Sequence, residues 1–220
     1  MTQAETIDHA QRAARRTLAE HRSRQLLDAA ARLMEREGSE AVSMQALAAE
    51  AGVSVGLIYR YFGSKEDVLY AVIVDVLDAL ATALPAALDD APEDPVRRLA
   101  ATFTAYCTVI DSHRHSTLLT YRESKSLDAK RRERIKELEL ETAQPLMRSL
   151  RDGVSDGLLV TDDAELVAYD LILMAHAWAL KSWYFTKTRD LTSYIDSQLA
   201  LALRGIVAPK HRARYADLLR

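Results

Sequence analysis

The stretch Ser43–Phe62, SMQALAAEAGVSVGLIYRYF, constrains this chain more than any other. It sets two short helical segments around a glycine, and Gly63-Ser64-Lys65-Glu66-Asp67 follows at once as a third helix start. Ser43 can accept a hydrogen bond from an orphan amide of the first turn, so it predicts an N-cap. Met44–Glu50 has high helix propensity. Leu47, Ala48 and Ala51 form one apolar stripe, with Ala48 small where two helices must approach. Gly52 suits the left-handed conformation that ends a helix. Val53 and Ile58 fill the angle between the helices. Ser54 caps the second helix, which runs to about Phe62, and Gly63 is expected to end it in the same left-handed way. A helix pair of this size has one well-established use, which is to place its second member in the major groove of DNA. An ordinary helical hairpin accounts for Gly52 alone. The combination of Ala48, Gly52, Ile58 and the aromatics after it favours the DNA reading.

Ser64-Lys65-Glu66-Asp67 has the form of a capping box. Lys65 in the first turn opposes the helix dipole, a small penalty that makes sense if a phosphate sits at that helix end. The alternative is a solvated surface lysine. For base reading, the second helix offers Val55, Gly56 and Leu57 near its start. Val55 can meet a thymine methyl and Gly56 lets the backbone come close. Gln45 can bond adenine from the preceding helix, and Arg60 can bond guanine or a phosphate.

At this point residues 24–70 resemble the DNA-binding domain of the tetracycline-repressor (TetR) family of bacterial regulators. The residues that carry the likeness are Leu26, Ala29, Ala30, Leu33 and Gly38, then Ser43, Ala48, Ala51-Gly52-Val53-Ser54, Ile58-Tyr59, Tyr61-Phe62 and Lys65-Glu66-Asp67-Val68-Leu69. The resemblance implies phosphate contacts at Ser43, Tyr59, Tyr61 and Lys65. Tyr61 stands where the family very often has histidine. A hydrogen-bonding tip survives there, without the option of positive charge. The expected DNA-binding set is therefore Ser43, Gln45, Ser54, Val55, Gly56, Tyr59, Arg60, Tyr61 and Lys65.

The net charge is −3, so the chain is no basic DNA coat. Positive charge is instead local: Arg12, Arg15, Arg16, Arg22 and Arg24 precede the first helix with only Glu20 opposing them. Such an arm can track phosphates or enter the minor groove, or stay a solvated tail. A single Cys107 excludes an internal disulfide and fits a reducing cytoplasm. The N-terminus lacks the apolar core of a secretory signal. Val167–Phe185 is the best membrane-span candidate, but Asp170, His176 and Lys181 interrupt it, so no membrane association is expected. The expected location is the bacterial cytoplasm, at the nucleoid.

Apolar periodicity is helical nearly everywhere downstream. Helices are expected over about 65–88, 95–110, 116–127, 128–152, 162–186 and 191–207, with breaks at 89–94 and 112–116, Pro85 and Pro145 as bends, and Gly153 and Gly157 at one helix exit. The fold class is all-α: an N-terminal three-helix helix-turn-helix domain and a larger C-terminal helical domain for ligand binding and dimerisation. The expected divisions are a basic flexible arm at 1–21, the DNA-binding domain at 22–68, the ligand and dimer domain at 69–208, and a frayed basic tail at 209–220. Val167–Phe185 is apolar almost all round, which calls for burial on two sides. The resemblance implies that the last two helices form a four-helix bundle with those of a second copy. A homodimer then reads a pseudo-palindromic operator. The expected interface residues are Leu173, Trp183, Tyr184, Leu199 and Leu203.

The resemblance also implies a cavity for a small effector in the second domain. Phe103, Tyr106, Ile110, Tyr121, Arg122, Met147, Met174 and Trp178 are its expected lining, since aromatics and methionines suit an apolar, adaptable site. The layout from Tyr121-Arg122-Glu123-Ser124-Lys125 to Ser182-Trp183-Tyr184 is similar to that of acyl-CoA-sensing members. An apolar cavity takes the acyl chain, while Arg122, Lys125, Lys130, Arg131, Arg132 or Arg134 meets phosphates. Generic hydrophobic effectors are the broader class. No phosphate loop, nucleophile elbow or zinc-protease motif is present, so no catalysis and no cofactor is expected. A loop pair and a buried thiol account for Cys107, His113 and His115 better than a metal site does. The reading is a ligand-responsive DNA-binding transcriptional regulator acting as a repressor. The alternative is a helical interaction scaffold without specific DNA binding, which explains the long helices but not the Ser43–Lys65 string.

Overall fold

The computed structural model describes residues 23–220. Arg12, Arg15, Arg16 and Arg22 of the expected arm lie outside the described residues. The chain divides into two units, 1–72 and 73–220, with the division inside one helix.

In the first unit, α1 covers 23–37 and buries Leu26, Ala29, Ala30, Leu33 and Met34. It ends at Gly38, whose φ of 83° lets its amide donate back to the Met34 carbonyl at 2.8 Å. α2 (Met44–Glu50) starts where Ser43 Oγ accepts the Ala46 amide at 3.1 Å. Gly52, at φ 65°, reverses the chain, and the Val53 amide reaches the Ala48 carbonyl at 2.9 Å. α3 (Val55–Tyr61) starts at Ser54, which accepts the Leu57 amide at 3.2 Å. Leu47, Ala48 and Ile58 are almost wholly buried between these helices. Gly63 departs from expectation, since it is not left-handed. Phe62 ends α3 by turning extended, at φ −133° and ψ 125°. Ser64 Oγ then accepts the Asp67 amide at 3.1 Å and donates to the Asp67 carboxylate at 2.9 Å.

α4 (Lys65–Asp90) carries Val68, Leu69, Val72, Ile73, Val76, Leu77, Leu80 and Leu84 in one buried stripe. Among the described residues it is the one helix long and apolar enough to cross a membrane, and its stripe is taken up by packing inside the protein. It runs through Pro85 and ends later than expected. The second unit continues with α5 (Pro95–Ser112), α6 (Arg114–Glu123), a 3-10 turn (Ser124–Ser126), α7 (Ala129–Ser155), α8 (Ala164–Leu180), α9 (Ser182–Thr188) and α10 (Leu191–Ile206). α5 is central and packs on α7, α8 and α10. That explains why Leu99, Phe103, Cys107 and Ile110 are all fully buried along it. Asp128, Asp163 and Asp190 cap α7, α8 and α10 with their carboxylates. Among the described residues the extended pairing is one bridge, Leu159 to Val207.

Several features beyond the end of α4 differ from the sequence reading. The break at 112–116 shrinks to His113, so α6 starts at Arg114 and ends at Glu123. The expected helix to about 186 splits at Lys181, whose backbone (φ −121°, ψ 27°) leaves helical geometry. Gly153 lies inside α7 rather than at its exit. A Cβ there would stand 2.6 Å from Leu159 Cδ1, so the glycine admits the returning chain, and Gly157 (φ 66°) makes the turn. Lastly, the segment after α10 is docked rather than frayed. Pro209–Tyr215 is a 3-10 helix and Tyr215 is fully buried. Its hydroxyl donates to Asp94 Oδ2 at 2.8 Å, Arg214 pairs with the same carboxylate, and Arg97 pairs with Asp217 at 3.0 Å. The other Asp94 oxygen caps α5, accepting the Val96 and Arg97 amides at 3.0 Å each.

Candidate nucleic-acid interface and ligand cleft

The first unit presents its expected contact residues on a surface. Ser43, Gln45, Ser54, Gly56, Tyr59, Arg60 and Tyr61 are exposed, while Val55 and Lys65 are half-buried. Tyr59 and Tyr61 are 51% and 45% exposed among the described residues, although both are large aromatics. Lys65 Nζ donates to the Glu40 carbonyl at 2.8 Å. The bond ties the loop after α1 to the start of α4 and leaves the positive charge in place. Gly56 has a negative φ, and a Cβ there would meet nothing within 4 Å. Among the described residues, neither the backbone nor the packing requires glycine at that position.

The second unit holds two adjoining cavities. The outer cleft, about 310 Å³, is lined by Thr120, Tyr121 and Ser124 from α6 and the following turn, and by Arg132, Ile135, Lys136 and Glu139 of α7. Its two cations are only lightly engaged. Arg132 donates to the carbonyls of Lys125 and Leu127, and Lys136 pairs with the exposed Glu133 at 3.0 Å. The exposed Lys136–Glu133 pair contributes little and exchanges readily for another anion. The inner slot shares Thr120, Tyr121 and Glu139 with the cleft. It is narrow, about 30 Å³, and its apolar wall is Ile73, Val76, Leu77 and Leu80 of α4 with Ile110 of α5.

Polar groups in the slot are organised around His176. Tyr106 Oη lies 3.1 Å from its Nε2, and Tyr121 Oη lies 2.8 Å from its Nδ1. Desolvation lowers the His176 pKa to about 4, so the ring is neutral at pH 7. Burial likewise pushes the Tyr106 hydroxyl well above its ordinary range, with the Glu139 charge adding to it. Tyr121 is raised by the same two causes in the same order. Glu139 has surface open to the cleft, yet its carboxyl is crowded enough that desolvation raises its pKa. The hydroxyls of Thr117 and Thr120 donate to their own helix, to the carbonyls of His113 and Ser116.

Three of the eight expected lining residues, Tyr106, Ile110 and Tyr121, meet in this slot. Phe103 and Met147 are buried elsewhere in the core. Met174 offers its carbonyl to the Tyr194 hydroxyl, and Trp178 donates to Asp111 Oδ1 at 2.6 Å. Both therefore serve the packing of α8 on its neighbours. Arg122 is exposed on α6 and lines neither cavity. Of the six expected phosphate-meeting cations, only Arg132 lines the cleft, and Arg134 is paired with Glu137 and Glu141. His176, Glu139 and Lys136 were missed. An isolated histidine in an otherwise apolar helix was the available signal for the first. Cys107 is buried with its thiol pushed up to about 12 by desolvation. His113 Nε2 faces Asp75 at 3.5 Å.

A third surface lies on the last helices. Leu166, Tyr169 and Leu173 form an exposed stripe on α8, and Trp183 and Tyr184 of α9 and Leu201 of α10 are exposed as well. Leu199 and Leu203, expected at an interface, instead point into their own core at 5% and 0% exposure. The buried face of α10 packs on α5 and α8, which leaves Leu201 outward.

Comparison with known proteins places the chain. Residues 26–72 match the family described as "Bacterial regulatory proteins, tetR family", and residues 92–206 match "Tetracyclin repressor-like, C-terminal domain". The chain is 36% identical to the HTH-type transcriptional regulator HbdR of Aromatoleum sp. (strain CIB), over 92% of this chain and 88% of that protein. It is 31% identical to the HTH-type transcriptional repressor KstR2 of Mycolicibacterium smegmatis (strain ATCC 700084 / mc(2)155), over 83% and 89%. Its fold is also similar to that of AibR, solved in complex with isovaleryl coenzyme A and operator DNA. That match has a TM-score of 0.69, covers 82% of this chain and 97% of that one, and shows 21% identity.

Proposed function

Since the chain belongs to the TetR family of transcriptional regulators, with a helix-turn-helix domain for DNA and a helical C-terminal domain, we propose that it is a homodimeric repressor released from its operator by an acyl-CoA thioester. The observation that carries the effector reading is the pair of adjoining cavities. A cleft holding Arg132 and Lys136 suits phosphates, and it narrows past Tyr121 and Glu139 into a slot walled by α4 leucine, isoleucine and valine side chains. AibR carries its acyl-CoA on the same fold. For this chain the reading stands on the chemistry of its own cleft.

The slot has room for roughly two waters, so an acyl group must widen it. Widening presses on Ile73, Val76, Leu77 and Leu80. These belong to the same helix that begins in the DNA-binding unit at Lys65. An effector that fits only the widened form then shifts the population away from the DNA-competent one, by its difference in affinity for the two. On the DNA side, Ser43, Tyr59, Tyr61 and Lys65 position the unit on phosphates. Gln45, Val55 and Arg60 read bases. Gly56 has no internal reason to lack a side chain, which suits a close approach of the α3 backbone to DNA. Ser54 fixes the start of that helix. Residues 22–68 form the DNA-binding domain and 69–208 the effector and dimer domain. Leu173, Trp183 and Tyr184, with Leu166, Tyr169 and Leu201, meet their symmetry mates across a two-fold axis. The protein works in the bacterial cytoplasm, at the nucleoid.

The test is selection of sheared DNA from the source genome by purified protein, followed by challenge with acyl-CoAs. Enrichment of a short pseudo-palindrome, released by an acyl-CoA but not by coenzyme A, is the expected result. Enrichment that no acyl-CoA disturbs refutes the effector. No enrichment, even after unfolding and refolding to strip ligand, refutes the operator.

A further inference from the structure

The inner slot contains a hydrogen-bonding imbalance that a plain hydrocarbon chain would leave unanswered. Tyr106, His176 and Tyr121 make two hydrogen bonds among themselves, at 3.1 and 2.8 Å. With a neutral ring the three groups own three protons: two hydroxyl protons and one ring N–H. Each bond uses one proton. The ring N–H serves one tyrosine oxygen, and the other tyrosine serves the bare ring nitrogen. The tyrosine that accepts from the ring keeps its own O–H proton unused. The threonine hydroxyls give their own protons to backbone carbonyls, and among the described residues no hydrogen bond joins either threonine oxygen to Tyr106 or Tyr121, whose hydroxyls meet His176 instead. Among the described residues Glu139 is the one carboxylate lining the slot, and its charge adds to burial in raising both tyrosines. Among the described residues no hydrogen bond or ion pair engages its side chain, which is exposed toward the cleft. The slot thus holds one spare donor and one unengaged acceptor in an otherwise apolar lining.

We infer that the effector carries a hydroxyl group on the part held in the slot, accepting from the spare tyrosine proton and donating to Glu139. A hydroxyl is the smallest neutral group that does both, and a slot of about 30 Å³ rewards smallness. A free carboxylate meets Glu139 as a like charge and is disfavoured, so the thioester is selected over its free acid. This narrows the acyl-CoA reading above and rests on it. The effector class is a hydroxylated acyl thioester, and Glu139 and Tyr121 are its specificity determinants.

The test is calorimetric titration of the full-length protein with hexanoyl-CoA and with its monohydroxylated forms, coenzyme A and the free hydroxy acids serving as controls. One added, well-placed hydrogen bond corresponds to roughly a tenfold preference. At least one hydroxylated form is expected to bind about tenfold tighter than hexanoyl-CoA, with its free acid much weaker. Glu139→Gln and Tyr121→Phe are each expected to shrink that preference to a few-fold while hexanoyl-CoA binding is retained. Glu139 is open to the cleft, so its variant keeps the core intact even if Tyr121→Phe does not fold. Equal affinity across the matched pair, or a preference untouched by Glu139→Gln, overturns the inference. If no CoA thioester binds at all, the effector reading has failed. The hydroxyl requirement is then read separately with matched methyl esters, where an equal response overturns it and a hydroxyl preference lost in Glu139→Gln sustains it.

Discussion

Moving from pH 7 to pH 5 should cost this protein stability through His176. The ring is buried between two tyrosine hydroxyls, and desolvation holds its pKa at about 4. In the unfolded chain a histidine titrates near 6.5. The folded pKa is the lower one, so between the two values the unfolded state binds the extra proton. The contribution is whole above about pH 6.5 and drains away as pH falls toward about 4. A gap of about 2.5 units sets a ceiling of roughly 3 kcal/mol, and the part lost between pH 7 and pH 5 is about 2 kcal/mol. The assay is urea unfolding at fixed protein concentration at both pH values, for the wild type and His176→Gln. Carboxylates titrate in both proteins and cancel in the comparison. The wild type is expected to lose about 2 kcal/mol more than the variant over this interval. Equal losses would refute a buried, neutral imidazole.

Gly153→Ala gains about 1 kcal/mol of helix propensity but forces a methyl to within 2.6 Å of buried Leu159. Overpacking of about 1–3 kcal/mol wins, so a small net loss in thermal stability is expected, and a rise in Tm would contradict it. Tyr215→Phe removes one donor from buried Asp94 and should destabilise by about 1–2 kcal/mol in urea. In DNA titrations, Lys65→Ala is expected to weaken specific and nonspecific binding alike, whereas Gln45→Ala relaxes base preference. Proportional losses in both variants would sink that division of labour. Leu173→Glu places a charge in the exposed α8 stripe and is expected to yield monomers in sedimentation, while the helical circular dichroism is retained.

Legibility followed sequence distance. The Ser43 and Ser54 caps and the Gly52 turn depend on neighbours two to four positions away, so residue type alone indicates them. The α10 stripe was legible as a stripe. Which side faces its own core was not, because Leu199 and Leu203 differ from Leu201 only in what the fold sets against them. The slot was less accessible still. His176 finds its partners 70 and 55 positions away, and no periodicity records such a meeting. Gly153 was misread for a related reason: its cause is Leu159 returning across the helix, a close approach that no local pattern marks.

The docking of Tyr215 on Asp94 has a consequence for synthesis. The residues that complete the start of α5 lie 121 positions downstream of it. Until they leave the ribosome, Asp94 lacks the Tyr215 hydroxyl and the Arg214 charge. The helix-turn-helix unit has all its residues within the first 72 and can close early. Order of emergence thus builds a delay into the nascent chain: the helix-turn-helix unit can finish long before the C-terminal helical unit.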